Sequence, residues 1–489
     1  MKNKKLFLFS IFFIFIISLG AASASEDMAS ENMLNDDLSM NPIDQSIDES
    51  IDLNINTDFQ SGNNELIGSD SDSQSNADTE PASDGNEGET ANTGGNASTN
   101  TIQTNKKSFE YIQELIDNAA PGSTIKLSGS YAGTGKQIVI NKAITIKGIG
   151  GKATLNAKGL SRIFYIKSKG VLLEDLNLIN GKANKGGAIY VESNNAKVYS
   201  TKIHKCIFRN NTGKSGGAIY SGANIKITRT RFNLNTAKSG GAICCEDDDD
   251  INKDIMYINN SVFYKNKIYK ENRANGREVT YNSGGAVLTD FKKSYIFNCK
   301  FSQNRATTKG GAIGLTRNLN CINCKFYKNY ASTGSVIDVT PNIIDFEEYS
   351  FDGIINVKNC VLSKNSAKNK ILLRCDYLTA KMNIVNLVIG NYKYTITNKK
   401  NHYFYVKIIN KKTKKAVRGA KIRFKIKPYS ESSKTTIKTL KKTNKKGKIT
   451  FNARSLIRNK YLYDSCYFYL SFVNSKNYFY MNSGIIDRV

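Results

Sequence analysis

The chain has little of the chemistry on which most enzymes depend. Its 489 residues include no Trp, 5 Pro and 2 His. Histidine is the side chain best suited to proton transfer near neutral pH, and it is also a common metal ligand. His204 and His402 stand far apart in the sequence, so the composition argues against histidine bases and histidine-rich metal sites. The scarcity of proline fits a chain in which nearly every backbone N–H is needed as a hydrogen-bond donor.

Positive charge is also missing from one long segment. Residues 25–105 contain 18 Asp+Glu and no Lys or Arg, whereas residues 106–489 contain 67 Lys+Arg and 24 Asp+Glu. The acidic segment has too few apolar residues to offset the entropy that a chain loses on folding. We interpret residues 25–105 as a disordered acidic spacer. The alternative is that this spacer docks on the basic remainder of the chain, a contact that added salt would weaken.

Residues 1–24 have the pattern of a secretory signal peptide. Lysines precede an apolar run from Leu6 to Leu19, and Ala22-Ser23-Ala24 suits a cleavage site. The apolar run is shorter than the ~20 residues that a membrane-spanning helix needs. We therefore expect a secreted or cell-surface protein that is not integral to the membrane after signal cleavage. An uncleaved N-terminal anchor is the alternative.

Ordered structure is predicted to begin near Ser108. Phe109, Ile112, Leu115 and Ile116 recur at helical spacing, and Pro121-Gly122 ends the pattern. The period then changes to that of short strands bounded by turn residues. The first of these predicted strands are Ser123–Leu127, Gln137–Ile140, Ala143–Lys147, Ile163–Ile166 and Val171–Leu178.

Two motifs then repeat in phase about every 25 residues. A Gly-Gly-Ala-aliphatic motif begins at Gly186, Gly216, Gly240, Gly284 and Gly310, with a degenerate copy at Gly334. A Phe-x-x-Asn motif begins at Phe208, Phe232, Phe263, Phe301 and Phe326, with a weakened copy at Leu362. A unit this short cannot close its own hydrophobic core, so it has to stack on its neighbours.

The repeat predicts an all-β solenoid whose coils pair as parallel strands about 4.8 Å apart. Equivalent residues of successive coils then lie on one line. We expect the phenylalanines to stack inside the coils, and each repeat asparagine to adopt left-handed φ and bond the next coil. The Gly-Gly pair supplies positive φ at a corner. The helix around Ile112 is expected to cap the N-terminal end.

These residues carry a resemblance to a known family. Gly-Gly-Ala-Ile together with Phe-x-x-Asn resembles the repeat of polymorphic outer-membrane adhesins and, more closely, the adhesin-like proteins of methanogenic archaea. The segment from Phe109 to Asn180 is similar to the usual start of those archaeal proteins. The resemblance implies a pectate-lyase-like right-handed parallel β-helix over residues 106–395 and a role at the cell surface.

The strand pattern changes again near His402. Strands are predicted at Tyr403–Ile409, Lys421–Lys427, Thr435–Leu440, Lys448–Asn452 and Tyr467–Phe472. Short strands at this spacing favour a small β-sandwich. Residues 400–489 resemble the bacterial immunoglobulin-like (Ig-like) modules of surface proteins, which implies a spacer or a presenter of loops.

The cysteines could form disulfides or bind a metal ion. Cys206, Cys299 and Cys324 each stand two residues before a repeat Phe, and Cys360 holds the same place before Leu362. A common repeat position favours a line of small core residues, because free Cys packs as a hydrophobe. Cys321-x-x-Cys324 lacks a second pair at zinc-finger spacing. We therefore predict no metal and no cofactor, and leave disulfide formation open.

Acidic residues offer two weaker candidates. Glu246 and Asp290 each lie six residues after the first Gly of adjacent repeats, so they could stack as an acid pair for catalysis or calcium. The run from Glu246 to Asp250 is the densest acidic cluster of the basic region. It is either a solvated loop or a calcium site. Salt links to the abundant lysines are the simpler expectation for the pair.

Lysines precede the Gly-Gly corners. Lys185, Lys214, Lys238 and Lys309 lie one or two residues before their glycines, and stacked coils would align them as a cationic ridge. Such a ridge would attract anionic wall polymers or glycans in a salt-sensitive way. A solvated face tuned for solubility is the alternative.

These features predict an exported, adhesin-like surface protein without catalytic residues. Its expected partners are cell-surface polymers or glycans of other cells or of its own wall, with anionic ones favoured. We expect a monomer that binds no nucleic acid. The alternatives are a β-helical polysaccharide lyase or hydrolase that uses Glu246 and Asp290, and a purely structural wall component.

Overall fold

The fold begins with one short helix. A computed structural model describes residues 107–193, 200–246, 254–269, 283–339, 354–375, 381–400, 403–428, 437–452 and 466–483. The helix spans Phe109–Asn118, and the Ser108 hydroxyl caps it by accepting from the Tyr111 N–H. The Gln113 amide side chain bonds both backbone groups of Val139 at 2.7 and 3.2 Å. The helix thereby covers the first coil of the solenoid, as predicted. The predicted signal peptide and spacer lie outside the described residues.

Each coil then contributes strands to three parallel columns, so the described part of the chain is nearly all β. The first column contains Thr124–Leu127, Thr145–Gly148, Val171–Glu174, Thr201–His204, Ile225–Thr228, Ile255–Asn259, Lys293–Phe297, Asn318–Ile322, Ile354–Lys358 and Lys381–Ile389. The second contains Ser130–Ala132, Ala153–Asn156, Leu176–Ile179, Ile207–Arg209, Arg231–Asn233, Val262–Tyr264, Lys300–Ser302, Lys325–Tyr327 and Val361–Ser363. The third contains Ile138–Ile140, Phe164–Ile166, Ile189–Val191, Ile219–Ser221, Ile243–Cys245, Val287–Thr289, Ile313–Leu315, Ile337–Val339 and Ile371–Cys375. This arrangement is that of a parallel β-helix.

Two-residue strands add to some of the turns, where Thr236–Ala237 pairs with Lys267–Ile268 and Tyr330–Ala331 pairs with Ser366–Ala367. The predicted strand Val171–Leu178 is wrong in one respect. It consists of two strands, because Asp175 has φ of 51° and turns the chain between the first and second columns. The same left-handed position recurs in later coils, for example at Asn260 and Asn298.

Phenylalanine stacking inside the second column is confirmed. The rings of Phe208, Phe232, Phe263, Phe301 and Phe326 are buried, with successive centroids 4.6 to 5.1 Å apart and interplanar angles of 10° or less. Flat stacking at this distance follows from the parallel register, in which each Phe directly opposes the Phe of the next coil. Stacked rings and aliphatic neighbours form one continuous core.

An asparagine ladder follows the phenylalanines. The Asn266 Nδ2 donates to the Asn304 Oδ1 at 3.0 Å and to the Phe232 carbonyl at 2.9 Å. The ladder runs without a break through Asn211, Asn235, Asn266, Asn304, Asn329 and Asn365. The predicted bond to the next coil is thus confirmed. The predicted left-handed φ is wrong for these residues, since the residue before each of them, such as Lys265 with φ of 53°, makes the turn.

The Gly-Gly corners leave no room for a side chain. The first glycine has positive φ, for example 58° at Gly240, as predicted. The second glycine lies against the next coil, and a Cβ added to Gly241 would come 2.1 Å from the Gly285 carbonyl oxygen. Glycine is therefore needed twice, once for the backbone conformation and once for the close approach of two coils.

The C-terminal strands continue both sheets, and all of these pairings are antiparallel except the parallel one between Ile371–Cys375 and Tyr478–Ser483. The strand Lys381–Ile389 leads into Tyr392–Lys400, Tyr403–Asn410 and Lys448–Asn452. The strand Ile371–Cys375 pairs with Tyr478–Ser483, followed by Cys466–Ser471, Lys421–Pro428 and Ile437–Lys442. Rings from the two sheets meet, with Phe424 and Phe451 stacked at 4.0 Å. The classification of this region as Ig-like stays a prediction.

Candidate binding face

The outward side of the second column and the turn after it form a surface without negative charge. Inward positions there are taken by the Phe stack and the Asn ladder, so the intervening side chains point away from the core. The stretches 207–213, 231–237, 262–268, 300–306, 325–331 and 361–367 contain no Asp or Glu. We define the cationic face by the basic residues of these stretches, which are Arg209, Arg231, Lys265, Lys267, Lys300, Arg305, Lys325, Lys328 and Lys364.

Strand register aligns part of this face. Arg231, Lys300 and Lys325 share one outward repeat position, and Lys300 and Lys325 lie on adjacent coils. Arg231 and Lys325 are exposed, and Lys300 is half-buried. Lys300 and Lys325 are therefore about one 4.8 Å strand spacing apart, whereas Val262 lies between Arg231 and Lys300. Positive charges placed along one line of the solenoid suit a linear polymer that carries negative charges.

Tyrosines lie between the cations. The Lys265 Nζ is 5.0 Å from the Tyr264 ring centroid, and the Lys328 Nζ is 5.1 Å from that of Tyr327. The Arg305 guanidinium lies 4.9 Å from the Tyr330 ring centroid. The Lys328 ammonium, which bonds the Tyr327 hydroxyl, lowers the pKa of Tyr327 below its ordinary value. The rings hold the long cationic side chains against the surface.

A polar groove of about 480 Å³ extends the same line of turns toward the N-terminal coils. Its lining includes Asn156, Lys158, Asn180, Lys182 and Asn210. The Asn180 Nδ2 donates to the Asn156 Oδ1 at 3.0 Å, so the outer asparagines form a short ladder of their own. Amide and ammonium groups in an open groove offer hydrogen bonds to hydroxyl and carboxylate oxygens.

The four lysines proposed from the sequence occupy two repeat positions. Lys185 and Lys309 share one position, but Ser215, Ser239 and Ser283 hold it on the coils between them. Lys214 and Lys238 lie one residue earlier, on adjacent coils, where the Lys238 N–H donates to the Lys214 carbonyl at 2.9 Å. A single unbroken ridge therefore does not form, because serine takes the place of lysine on the intervening coils.

Lys185 also points at a tyrosine. Its Nζ lies 4.4 Å from the centroid of the buried Tyr220 ring and 5.8 Å from that of Tyr190. Lys214 is exposed. The cationic face was not predicted from the sequence, because its residues vary from coil to coil. The signal that could have found it is the absence of acids from every Phe-x-x-Asn stretch.

The acid pair lies at the end of the third column. The Glu246 and Asp290 N–H groups donate to the carbonyls of Ser221 and Cys245, which puts the two acids in register on adjacent coils. The Cys244 Sγ donates to the Glu246 Oε1 at 3.3 Å. Burial and the nearby Glu246 carboxylate raise the pKa of the Cys244 thiol. The register thus brings the pair together, while Asp247 to Asp250 of the calcium prediction lie outside the described residues.

One thiol cluster could hold a metal. The Sγ atoms of Cys321, Cys324 and Cys360 lie within 4.8 Å of one another, and all three residues are buried. The neighbouring thiols of Cys324 and Cys360, together with burial, raise the pKa of Cys321 well above its ordinary value. The Cys321 thiol is therefore protonated and poorly reactive near neutral pH unless an ion binds to it.

Comparison with known families supports the repeat. The Chlamydia polymorphic membrane protein repeat matches residues 205–222, 229–246 and 298–316. Each match contains one Phe-x-x-Asn motif and one Gly-Gly-Ala-Ile motif. A comparison with curated proteins finds no match. The chain is therefore a β-helical protein that carries repeats of this type.

One solved structure similar to the chain is a PL6 alginate lyase in complex with a trisaccharide. The two chains are 11% identical, and the similarity covers 57% of this chain and 82% of the lyase chain with a TM-score of 0.28. Similarity at this level supports no inference about activity.

Proposed function

We propose that this chain is an exported, adhesin-like repeat protein of the cell surface that binds anionic polymers or glycans through its cationic face. The observation that carries the proposal is the acid-free face, which aligns Arg231, Lys300 and Lys325 on stacked coils. The polymorphic membrane protein repeats favour a surface location. Electrostatic attraction of this kind raises the rate of encounter and weakens with added salt.

The other parts of the chain suit the same role. The signal pattern of residues 1–24 would direct export of the chain. The acidic spacer of residues 25–105 would hold the β-helix at a distance from the cell surface. In the part of the chain that the structure describes, no helix is long and apolar enough to cross a membrane. The C-terminal strands act as an Ig-like spacer or presenter in this proposal, and the resemblance to adhesin-like proteins of methanogenic archaea belongs to it as well.

A binding screen tests the proposal. The full chain is applied to intact cells and to matched acidic and neutral polysaccharides across a salt titration. We expect saturable binding to acidic polymers that weakens as salt rises, and little binding to neutral ones. If the chain shows no saturable binding to any of these cells or polysaccharides, the proposal is contradicted and a purely structural wall component is favoured.

The acid pair supports one alternative function. Glu246 and Asp290 lie on adjacent coils, an arrangement that a polysaccharide lyase or hydrolase could use. The same acidic polymers are therefore assayed for cleavage, with and without calcium. Turnover that is lost on Asp290→Ala would replace the proposed binding function with an enzymatic one. We expect no turnover.

A further inference from the structure

Four of the cysteines occupy a position that a hydroxyl residue fills elsewhere. The residue after the turn between the first and second columns is Cys206, Thr230, Ser261, Cys299, Cys324 or Cys360 on successive coils. The Thr230 and Ser261 hydroxyls each donate to the carbonyl two residues earlier at 2.9 Å. The Cys324 and Cys360 thiols make the same bond at 3.4 Å. Leu176 and Leu387 hold this position on the flanking coils, so the six coils between them share a small inward side chain with a donor, and Cys is one of the residues that supplies it.

Cys321 does not follow that rule. It lies on an inward line of the first column at which the other described coils carry an aliphatic side chain, including Ile258, Ile296 and Val357. Replacing an aliphatic residue by Cys at this single coil removes core volume and adds a thiol. Cys321 lies next to Cys324 of its own coil and to Cys360 of the following coil, so three thiols come together.

The three sulfurs have the spacing of a metal site. The Sγ atoms of Cys321 and Cys360 are 3.8 Å apart, and all three lie within 4.8 Å of one another. Triangles with edges of 3.8 and 4.8 Å have their centres about 2.2 and about 2.8 Å from each corner, which brackets the ~2.3 Å of a metal–thiolate bond. Small movements of the side chains would therefore seat an ion.

We propose that Cys321, Cys324 and Cys360 bind one copper(I) ion inside the β-helix. Sulfur donors select soft ions such as copper(I) and zinc. Within the described part of the chain the cluster consists of these three cysteines alone, and all three are buried. Zinc in structural sites takes four ligands in a tetrahedron, so three buried sulfurs suit copper(I) better.

The residues that the chain itself uses elsewhere supply the test variants. Cys321→Val restores an aliphatic residue such as Val357, and Cys360→Ser introduces the side chain that Ser261 has at the same position. Cys299→Ser changes a thiol of the same line outside the cluster and is the matched control. Circular dichroism and thermal unfolding of the metal-free variants establish that each one folds, and Cys324→Ser serves if one does not.

The experiment loads the full chain with copper(I) under anaerobic, reducing conditions, removes the excess, and measures copper per chain together with copper–sulfur coordination by X-ray absorption. We expect one ion per chain in the unaltered protein and in Cys299→Ser, and about a tenth of that or less in Cys321→Val and Cys360→Ser. A parallel loading with zinc is expected to leave none bound after gel filtration.

Four results would overturn the proposal. The first is an unaltered chain that retains no copper(I). The second is equal retention by Cys321→Val. The third is a reduced chain that keeps zinc in preference to copper(I). The fourth is an isolated chain in which Cys321 and Cys360 are joined as a disulfide and no ion is present.

Discussion

The cationic face and the outward line of the third column belong to the same coils but differ in nearly every property. Most side chains of the cationic face are exposed, and the face carries no acid. The third-column line runs Tyr165, Tyr190, Tyr220, Cys244, Leu288, Gly314, Asp338 and Arg374, and its middle members from Tyr220 to Leu288 are buried. One scaffold therefore presents an open charged surface on one side and a covered mixed surface on the other.

The difference shows where repetition is needed. Inward positions repeat because each side chain packs on its own copy in the next coil, as in the stack of Phe232 and Phe263. Outward positions lack that constraint, so charge and chemistry vary from coil to coil. Fold is set by the repeated residues, and function is expected among the residues that vary.

The largest effect is expected from a change that breaks the scaffold shared by both faces. Gly241→Ala would press a methyl group against the Gly285 carbonyl, and backbone cannot yield as a side chain does. We expect a loss of more than ~3 kcal/mol in the free energy of unfolding, measured by urea denaturation. Gly390→Ala, where no atom lies within 4 Å and φ is 56°, should cost only ~1 kcal/mol. Equal losses would contradict the close coil contact.

A smaller loss is expected from the asparagine ladder. Asn266→Ala leaves the buried Phe232 carbonyl and the Asn235 amide without their Asn266 partners, which should cost ~2–4 kcal/mol. Asn356→Ala removes similar bonds to Asn320 and Asn383 from a half-buried outward ladder and should cost less than ~1 kcal/mol. Denaturation midpoints compare the two variants. A similar loss in both would mean that burial does not set the value of the ladder.

Lysine substitution separates a stabilising cation from a solvated one. Lys185→Met removes the ammonium above Tyr220 and should lower stability by ~0.5–1 kcal/mol. Lys214→Met changes an exposed side chain and should leave stability unchanged. Thermal unfolding of the two variants measures the difference. If the stability of Lys185→Met equals that of the unaltered chain, this cation–ring contact does not stabilise the third column.

The smallest effect is a contrast between two tyrosines. Burial and the hydrogen bond to Glu192 raise the pKa of Tyr165 to about 12, whereas Lys328 lowers that of Tyr327. The Tyr165 contribution to stability is complete below the unfolded value of ~10 and is lost as the pH rises through about 12. Because burial also raises the pKa of Tyr394, the late phase of a spectrophotometric titration should lose one tyrosine in Tyr165→Phe, and the early phase should lose one in Tyr327→Phe. Loss of the same phase in both variants would contradict the contrast.

The repeated residues made most of the fold predictable. Phe-x-x-Asn and Gly-Gly-Ala-Ile gave the stack, the ladder and the corners, because their spacing fixes which residues meet. The turn at Asp175 was missed, since neither Gly nor Pro marks it. The displacement of left-handed φ from Asn266 to Lys265 was missed because a sequence period fixes phase but not the residue that carries the turn.

The functional surface was harder to predict. The predicted ridge treated lysines one and two residues before the Gly-Gly pair as equivalent. In the structure Lys185 pairs with Ser215, so Lys185 and Lys214 belong to different lines along the solenoid. The cationic face depends on register between coils of unequal length, and it appears in the sequence only as missing acids. The sequence shows Cys321 as part of a pair with Cys324. The contact between Cys321 and Cys360 could not be predicted from the sequence, because it depends on how the next coil stacks.

The most direct test of the central claim is a charge reversal on the cationic face. The variant Arg231→Glu, Lys300→Glu, Lys325→Glu is compared with Lys126→Glu, Lys202→Glu, Lys358→Glu, which changes the net charge equally on exposed residues of the first column. Affinity for the acidic polymer that binds best in the screen is measured across a salt series. We predict about a tenfold loss or more, with weaker salt dependence, for the first variant only. Equal loss in both variants, or full binding by the first, would contradict the account.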